Sequence, residues 1–425
     1  MNDIKLILER PEYVKEALKK KLWDFDPAPL QELSARRVTL IQEVETNKAE
    51  QNKLSASVPQ VKKEGGDVAS IFAKVKALAA ENKEKADELA SVEAQIKKIM
   101  EELPNIPDDD LLGGGKENNT PVSHFGEPHD FGFPIKDHVQ LAESLGLIDY
   151  KRGAKISGAG TWVYTNLGAR LEWALLNYFM ERHLADGYEM ILPPHILNYE
   201  SGFTAGQFPK FEEDVFWLEG VEPRKFILPT AETALVNLHR DEVLELKDLP
   251  RKYFAYTPCY RKEAGSYRTE ERGMIRGYQF NKVEMVQYTT EEGSDAAFEE
   301  MVGKAKALLE GLGLVYQLDK LAAGDCSHSM ARTYDIEVWI PSMGIFKEVS
   351  SVSNARAYQA RRGKIRYRGE DGKLHFCHTL NGSGLATSRV FPALLEQNQQ
   401  ADGSVVIPEV LRKWMGGISV LKPKK

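Results

Sequence analysis

One stretch of the sequence, YRKEAGSYRTEERGMIRGYQFNKVEM at 260–285, concentrates residue types that can hold a charged substrate. The segments on either side of its glycine- and charge-rich loop contain many β-branched and aromatic residues, which predicts two strands. Because side chains alternate along a strand, we expect Arg261 and Glu263 to share one face, and Phe280 and Glu284 another. A guanidinium, two carboxylates and an aromatic ring on adjacent strands indicate a binding site, since a purely structural hairpin would bury apolar residues instead.

Length and composition limit the class of protein. A chain of 425 residues is long enough for two or three domains, and its mixture of charged and apolar residues is typical of a globular protein. Three cysteines are too few for a disulfide framework and fit a reducing, cytoplasmic environment. No apolar run approaches the roughly 18 residues of a membrane span, and the first residues lack a signal-peptide layout. With a net charge of −7, a polyanionic partner would have to bind a local basic patch.

Residues 28–101 carry a heptad pattern on each side of a glycine pair. The two apolar seams are in register for folding back on each other, because Leu30 falls level with Ile99 and Val61 with Val68. The pattern predicts an antiparallel two-helix coiled-coil hairpin, about 45 Å long for helices of about 30 residues. Its apolar positions are Leu30, Leu33, Leu40, Val44, Leu54, Val58, Val61, Val68, Ile71, Val75, Leu78, Leu89, Val92, Ile96 and Ile99.

Polar residues such as Arg37 also occupy the seam, and Asn47 falls level with Asn82, an arrangement that fixes register at some cost in stability. We expect Pro59 to end or kink the first helix just before the tip. The hairpin has two interpretations: it grips an RNA, a protein or a second copy of the chain, or it is a rigid spacer. Its balanced charge favours neither.

The rest of the chain divides by composition. Ahead of the hairpin, two short helices separated at Pro11 complete an N-terminal arm of residues 1–102. Residues 103–120 read as a linker because they are rich in Pro, Gly, Asn and Asp. In residues 121–425 helices and strands alternate, which predicts an α+β domain; a long helix in ARLEWALLNYFMERHLADGYEMILPPHI leads to a strand that ends at two prolines.

Several segments, in this order, resemble the signature motifs of class II aminoacyl-tRNA synthetases. They are GYEMILPP (motif 1), GQFPKFEEDVF, PTAETALVNLHR, YRKEAGSY with RGMIRGYQFNKVEM (motif 2), TYDIEVWIPS, KEVSSVSN, QARR and HTLNGSGLATSR (motif 3). Joined to the helical hairpin, they make the chain similar to bacterial-type seryl-tRNA synthetases over essentially its whole length. Any one motif is weakly specific, but their shared order is strongly so.

The resemblance implies an antiparallel sheet flanked by helices, a homodimer interface at motif 1 and a two-step reaction. ATP and L-serine would give seryl-adenylate and pyrophosphate, and the seryl group would then pass to the 3′ end of tRNA-Ser; whether tRNA-Sec is also charged stays open. The hairpin would bind the long variable arm of the tRNA and recognise RNA shape.

The resemblance also assigns the ATP-binding residues. Arg261 would bridge the ATP α-phosphate and the serine carboxylate, which suits a forked guanidinium, and Glu263 would accept a hydrogen bond from adenine. Phe280 would stack under adenine, and Arg276 and Arg389 would contact phosphate, the latter near the start of the last helix. The resemblance implies that Arg261 and Arg389 would be the catalytic residues. The remaining ATP positions are Lys262, Glu348, Val349, Ser350 and Ser351, of which Glu348 and Ser351 would bind Mg²⁺ held by ATP.

For serine, the implied residues are Thr230, Ala231 and Glu232 at the ammonium group, and Glu284, Asn381 and Ser383 at the hydroxyl. A site that hydrogen-bonds a hydroxyl rejects alanine strongly, because buried polar groups are left unpaired, whereas threonine has to be rejected sterically. Without the family resemblance, Arg261 and Glu263 would be interpreted as an ion pair on one face of a strand, and Glu284 as a solvated residue of an edge strand.

Two further groups of residues have ordinary interpretations. The segment HFCHT, with Cys326 and His328, contains the residue types of a zinc site, but the spacing fits no usual one, so no zinc is expected. Basic residues between 361 and 368 flank a predicted hairpin turn at EDGK; they contact tRNA phosphates or form a solvated face.

Two segments depart from the family pattern. In the motif 2 loop, which approaches the acceptor end of tRNA, Arg268 replaces a glycine and Thr269 stands where a basic residue is usual; the segment at 326–330 is also unusual. Three competing functions are an idle paralogue that binds RNA or protein, an enzyme that loads a carrier protein, and a coiled-coil scaffold. The paralogue is disfavoured because the site residues are retained, and the carrier-loading enzyme because the helical arm is present. The scaffold is disfavoured because it would leave the α/β remainder of roughly 300 residues without a function.

Overall fold

The computed structural model describes residues 1–263 and 273–424. The chain divides into two compact units. One consists of residues 2–19 and 24–103, and the other of Met1, residues 20–23 and residues 104–425.

The first unit is helical. Its helices are α1 (Ile4–Glu9), α2 (Pro11–Lys20), α3 (Ala28–Lys63) and α4 (Val68–Glu102), with the last residue of α2 in the second unit. Pro11 begins α2, a position that needs no hydrogen bond from its nitrogen. Between the long helices Gly65 has φ +73°, a conformation that suits glycine, and Asp67 caps α4 by accepting a hydrogen bond from the Ser70 amide.

The hairpin has the predicted register. Every apolar residue of the predicted seam is buried or half-buried, and ion pairs join Arg37 to Glu93 at 2.8 Å and Glu43 to Lys85 at 3.3 Å across the two helices. The expectation that Pro59 ends the helix is wrong, because α3 continues through it to Lys63. At 36 and 35 residues, the helices are each about 50 Å long, more than the sequence pattern predicted.

The second unit is α+β. Its helices are α5 (His138–Leu145), α6 (Tyr150–Ser157), α7 (Asn166–Ala185), α8 (Tyr199–Thr204), α9 (Glu232–Leu235), α10 (Ser294–Leu312), α11 (Tyr358–Gly363) and α12 (Thr387–Gln397). Its strands are β1 (Thr120–Phe125), β2 (Ile148–Asp149), β3 (Val163–Tyr164), β4 (Glu189–Met190), β5 (Ile196–Asn198), β6 (Phe216–Trp217), β7 (Lys225–Ile227), β8 (Val243–Glu245), β9 (Arg251–Tyr260), β10 (Gln279–Thr289), β11 (Tyr316–Lys320), β12 (Arg332–Ile340), β13 (Ile345–Arg356), β14 (Arg366–Arg368), β15 (Leu374–Phe376), β16 (His378–Ala386), β17 (Val405–Val406) and β18 (Val420–Leu421).

Eight of these strands form the main sheet, in the order β1-β11-β12-β13-β16-β10-β9-β4. All neighbours are antiparallel except β4, which pairs with β9 in parallel. Helices α7, α10 and α12 pack against the sheet through fully buried side chains such as Phe179, Phe298 and Phe391. The predicted antiparallel sheet flanked by helices, preceded by a coiled-coil hairpin, is therefore confirmed.

Two global features bear on the class of protein. Within residues 1–263 and 273–424, no helix is long and apolar enough to cross a membrane. The three cysteines, at 259, 326 and 377, are all buried with free thiols.

Candidate active site

A cavity of about 650 Å³ opens in the second unit, where β10, β12, β13 and β16 meet the segments that follow α8 and β9 and the segment that precedes α9. Residues of motifs 2 and 3 line it, together with residues of the PTAETALVNLHR and KEVSSVSN segments. The sequence-predicted residues among them are Thr230, Glu232, Arg261, Glu263, Arg276, Glu284, Glu348, Ser351, Asn381 and Ser383. Six predicted residues lie outside this lining set: Ala231, Lys262, Phe280, Val349, Ser350 and Arg389.

Arg261 and Glu263 are not on a strand, which corrects the sequence-based expectation. Strand β9 ends at Tyr260. The Arg261 amide still donates to the Tyr278 carbonyl at 3.0 Å, and the chain turns at Glu263, which has a positive φ of 51°. The Arg261 guanidinium lies 5.2 Å from the centre of the Phe280 ring, and its Nε donates to a backbone carbonyl at 3.3 Å. Glu263 forms an ion pair with Arg276.

Glu348 and Ser351 both reach the cavity although they are three residues apart on β13. A regular strand would place them on opposite faces. The pairing of β12 with β13 shifts by one residue between Glu348 and Ser350, so an extra residue on β13 restores a common face. Val349 and Ser350 are buried at this bulge, and the Ser350 hydroxyl donates to the Ser383 carbonyl at 2.7 Å.

Arg389 lies in the first turn of α12 and contacts the cavity wall through Glu348. Its Nη1 donates to the Glu348 carbonyl at 2.6 Å and lies 3.4 Å from Glu348 Oε2. Burial would raise the pKa of Glu348, but the guanidinium groups of Arg389 and Arg261 outweigh it and the net pKa shift is downward. Glu348 is therefore held ionised between two arginines.

Glu232 is a buried carboxylate whose hydrogen bond comes from a neutral group. Gln359 Nε2 donates to its Oε1 at 2.8 Å, and Thr379 holds the Gln359 amide by donating to the amide oxygen at 2.7 Å. Burial, followed by the charge of Glu284, raises the pKa of Glu232 to about 7. This arrangement suits a carboxylate that receives a cation from a ligand, because an ammonium group would supply the missing positive charge.

Glu284 has a different set of partners in the same cavity. Asn381 Nδ2 donates to its Oε1 at 3.2 Å and the Ser383 hydroxyl to its Oε2 at 3.4 Å. Lys282, two residues away on β10, brings its ammonium group within 2.6 Å of Oε2 and donates to Thr230 Oγ1 at 2.8 Å. Among the residues that the structure describes, none donates a hydrogen bond to the buried Asn381 Oδ1, so the amide retains a position for a ligand donor.

Among the cavity residues that sequence reasoning missed are Lys282 and Asp335, and it also missed Gln359, which holds Glu232. Lys282 precedes Glu284 by two and therefore shares its strand face, which was a usable signal. Asp335 pairs directly with Ser351 across β12 and β13, and the Ser351 hydroxyl donates to it at 2.6 Å. Burial, followed by the charge of Glu348, raises the pKa of Asp335 well above its ordinary value. No sequence spacing reveals this pair, because it depends on strand register.

The unusual segment at 326–330 also forms part of the cavity wall. Ser327, Ser329 and Met330 line it. The buried ammonium group of Lys21 fixes this wall by donating to the carbonyls of Ser327 and Met330, at 2.7 and 2.8 Å. The replaced loop residues Arg268 and Thr269 lie outside the described residues.

The other candidate groups have structural explanations. In the described part of the chain, no cluster of three or more His, Cys, Asp or Glu residues could hold a metal ion. The EDGK segment forms the predicted turn between β14 and β15. Arg362 is not available to an RNA backbone, because it is buried and donates to the carbonyls of Phe203 and Phe208 at 3.2 and 2.9 Å.

Comparison with known proteins identifies the family. Residues 1–107 match the model of the seryl-tRNA synthetase N-terminal domain, and residues 216–398 that of the class II tRNA synthetase core domain for G, H, P, S and T. A protein of Clostridium acetobutylicum, serine–tRNA ligase 2, is 60% identical over 98% of this chain and 99% of its own length. This chain belongs to the seryl-tRNA synthetase family.

Other members of the family agree over the whole length. The serine–tRNA ligase of Caldicellulosiruptor saccharolyticus is 45% identical over 98% of this chain and 99% of its own. The crystal structure of the Pyrococcus horikoshii seryl-tRNA synthetase complexed with ATP superposes with a TM-score of 0.93, at 32% identity and with 100% of both chains covered. The family relationship therefore extends to the hairpin and the class II core alike.

Proposed function

We propose that this chain is a serine–tRNA ligase that activates L-serine with ATP and transfers the seryl group to tRNA-Ser. The observation that carries the proposal is a single cavity that brings together Glu232, a buried carboxylate that no described residue pairs with in a salt bridge, a hydroxyl-recognition set at Glu284 and the arginines Arg261 and Arg276. Serine has the matching groups: an ammonium, a hydroxyl and a carboxylate.

In the first step, a carboxylate oxygen of serine attacks the α-phosphorus of ATP. The bond between that phosphorus and the bridging oxygen breaks, and pyrophosphate leaves with the electron pair. In the second step, a hydroxyl of the terminal tRNA ribose attacks the carbonyl carbon of seryl-adenylate, and AMP leaves. Neither step needs a protein nucleophile, so positioning and charge stabilisation are the contributions required of the enzyme.

For serine, Glu232 receives the ammonium group, supported by Thr230 and by the backbone around Ala231. Glu284, Asn381 and Ser383 bind the hydroxyl, with Asn381 Oδ1 as an additional acceptor. An amino acid without a hydroxyl would leave these buried groups unpaired, which supports selection against alanine and glycine.

For ATP, Arg261 bridges the α-phosphate and the serine carboxylate, while Arg276 and Arg389 bind the other phosphates. Phe280 and Glu263 recognise adenine, and Lys262, Val349 and Ser350 shape the surrounding backbone. The described part of the cavity is lined by seven carboxylates and four cationic side chains, so it does not by itself neutralise a polyanionic nucleotide.

That charge balance supports Mg²⁺ as the partner of ATP. Glu348, Ser351 and Asp335 present hard oxygen donors close together, and the raised pKa of Asp335, caused by burial and by Glu348, indicates a lack of positive charge there. Two carboxylates and a hydroxyl suit a cation that takes its other ligands from ATP phosphates and water. Bound there, Mg²⁺ would neutralise phosphate charge.

The larger assembly follows the same reasoning. We assign residues 1–102 to a tRNA-binding arm, 103–120 to a linker and 121–425 to the catalytic domain, with the protein acting in the cytoplasm. The hairpin at 28–101 would bind the long variable arm of tRNA-Ser. Motif 1 and α7 would form a homodimer interface, because Leu192, Trp173 and Ile196 are 75%, 51% and 51% exposed along this edge of the chain.

ATP–pyrophosphate exchange with serine, alanine, glycine and threonine tests the first step, and seryl transfer to tRNA-Ser tests the second. We expect exchange with serine, far weaker exchange with the other three, and transfer to tRNA-Ser. Exchange without transfer would indicate an enzyme that loads a carrier protein. If none of the four amino acids supports exchange, the protein is not a serine–tRNA ligase.

A further inference from the structure

The two carboxylates of the serine pocket are electrostatically unequal. Glu284 has an ammonium group 2.6 Å from its Oε2, supplied by Lys282. Glu232 has its hydrogen bond from the neutral amide of Gln359. One buried carboxylate is thus paired with a cation before any ligand binds. For the other, no described residue forms a salt bridge, although the charges of Lys282 and Arg261 act on Glu232 from a greater distance.

The burial of Lys282 costs free energy unless its ammonium group is paired with a carboxylate such as Glu284. Its side chain is only 7% exposed, and burying an ammonium group is unfavourable without a charged and hydrogen-bonded partner. Both of its contacts, with Glu284 and with Thr230, belong to residues that we place around serine, and no step of the proposed reaction otherwise uses it. Alternation along β10 directs Lys282 and Glu284 to the same face, so the pair is built into the strand.

We propose that Lys282 is a specificity-determining positioning residue, a role that rests on the proposed serine activation. By neutralising Glu284, Lys282 leaves Glu232 as the carboxylate that takes the ligand's ammonium group. It also converts Glu284 from a cation-binding group into a hydroxyl acceptor, so that a ligand with a second positive charge in its side chain is rejected. The orientation of serine and its selection over a diamine amino acid then have one cause.

L-2,3-Diaminopropionate is the probe that separates this role from a structural one. It has the shape of serine, with an ammonium group in place of the hydroxyl. In the wild-type pocket, this group would meet Lys282 and be repelled. In Lys282→Met, which keeps the length of the side chain and removes its charge, the same group would find Glu284 uncompensated and would replace the lysine as its partner.

The experiment compares ATP–pyrophosphate exchange with serine and with diaminopropionate for both enzymes. For Lys282→Met, we expect kcat/KM for serine to fall by about 100-fold or more, because a buried charge has lost its partner, and the ratio of diaminopropionate to serine activity to rise by at least about tenfold. Lys252→Met is the matched control: Lys252 also pairs with a glutamate, Glu300 at 2.8 Å, from a strand of the same sheet, but it does not line the cavity. This control should leave the ratio unchanged.

A reduced serine activity with a ratio within about threefold of wild type would overturn the proposal, since a structural role lowers both activities together. If Lys282→Met does not fold, the proposal is tested by inhibition of serine-dependent exchange in the wild-type enzyme. Diaminopropionate should inhibit serine-dependent exchange more weakly than 2-aminobutyrate, an isostere whose side chain is uncharged. Stronger inhibition by diaminopropionate than by 2-aminobutyrate would overturn the proposal. A wild-type enzyme without serine exchange would instead contradict the proposed function, so the two failures are distinguishable.

Discussion

Gln359 donates a 2.8 Å hydrogen bond to the carboxylate of Glu232, and the amide is itself fixed by Thr379. This neutral partner leaves Glu232 with a pKa of about 7, raised first by burial and then by Glu284. An ammonium ligand binds the ionised carboxylate, whereas protonation removes its partner.

The KM for serine is therefore expected to rise as the pH falls. Between pH 8 and pH 6, a group with a pKa of about 7 changes from mostly ionised to mostly protonated, so KM should increase by about tenfold. Serine keeps its own ammonium group throughout this range. The measurement is serine-dependent ATP–pyrophosphate exchange at several pH values, with the KM for ATP as the internal control. A serine KM that stays flat from pH 8 to pH 6 would contradict this role of Glu232.

A second buried carboxyl, Glu172, makes the stability depend on pH. Thr387 and Asn281 both donate to its Oε1, at 2.6 and 2.7 Å, and Oε2 is buried. Burial raises the pKa of Glu172 to about 7, from an ordinary value of 4.5. Because the folded state holds the proton more tightly than the unfolded state, this stabilisation is complete below about pH 4.5 and is lost as the pH rises to about 7.

Glu172→Gln should remove that dependence. Relative to wild type, the free energy of unfolding of the variant should rise by about 2 kcal/mol between pH 5 and pH 8, because glutamine carries no proton to lose. Urea unfolding of both proteins at the two pH values measures this difference. Equal pH dependence of the two proteins would show that Glu172 does not titrate in this range.

The hairpin should be separable from serine activation. Leu40 is fully buried in the seam, and Leu40→Ala is expected to destabilise the arm by about 2–5 kcal/mol. Seryl transfer to tRNA-Ser should then fall at least about tenfold through a higher KM for tRNA, while serine-dependent exchange stays near wild type. Val38→Ala is the control, since Val38 lies two residues away on the same helix and is 53% exposed. Equal loss of exchange and transfer in Leu40→Ala would argue against a dedicated tRNA-binding arm.

The exposed apolar edge near motif 1 predicts a dimer. Leu192→Asp places a charge on a side chain that is 75% exposed, and in a buried interface this charge would be desolvated without a partner. We expect the variant to sediment as a monomer at concentrations where wild type is a dimer. Val122→Asp is the control, because Val122 lies on β1, at the opposite edge of the main sheet from β4. A monomeric wild type, or a dimeric Leu192→Asp, would refute this interface.

Local pattern was enough to predict the parts of the molecule in which neighbours in sequence are also neighbours in space. The hairpin is the clearest case, because a heptad repeat places a stripe on each helix and the turn at Gly65 fixes which layers meet. The motif order also named ten residues that the structure brings to one cavity, and their roles there stay a prediction. The error at Pro59 arose because packing along two long helices outweighs the local cost of one proline near an end.

The sequence by itself determined the hairpin and its register, the sheet strands near motif 2, and the residue types that we propose bind ATP and serine. Tertiary structure alone decided how those residues work. The bulge at Val349 aligns Glu348 with Ser351, and Arg261, just beyond the end of β9 at Tyr260, lines the same cavity. The folded structure also decides which carboxylate has Lys282 as its partner, because it places the ammonium group of Lys282 2.6 Å from Glu284. Electrostatic interactions depend on distance and desolvation, and both are properties of the packed chain that no spacing along the sequence contains.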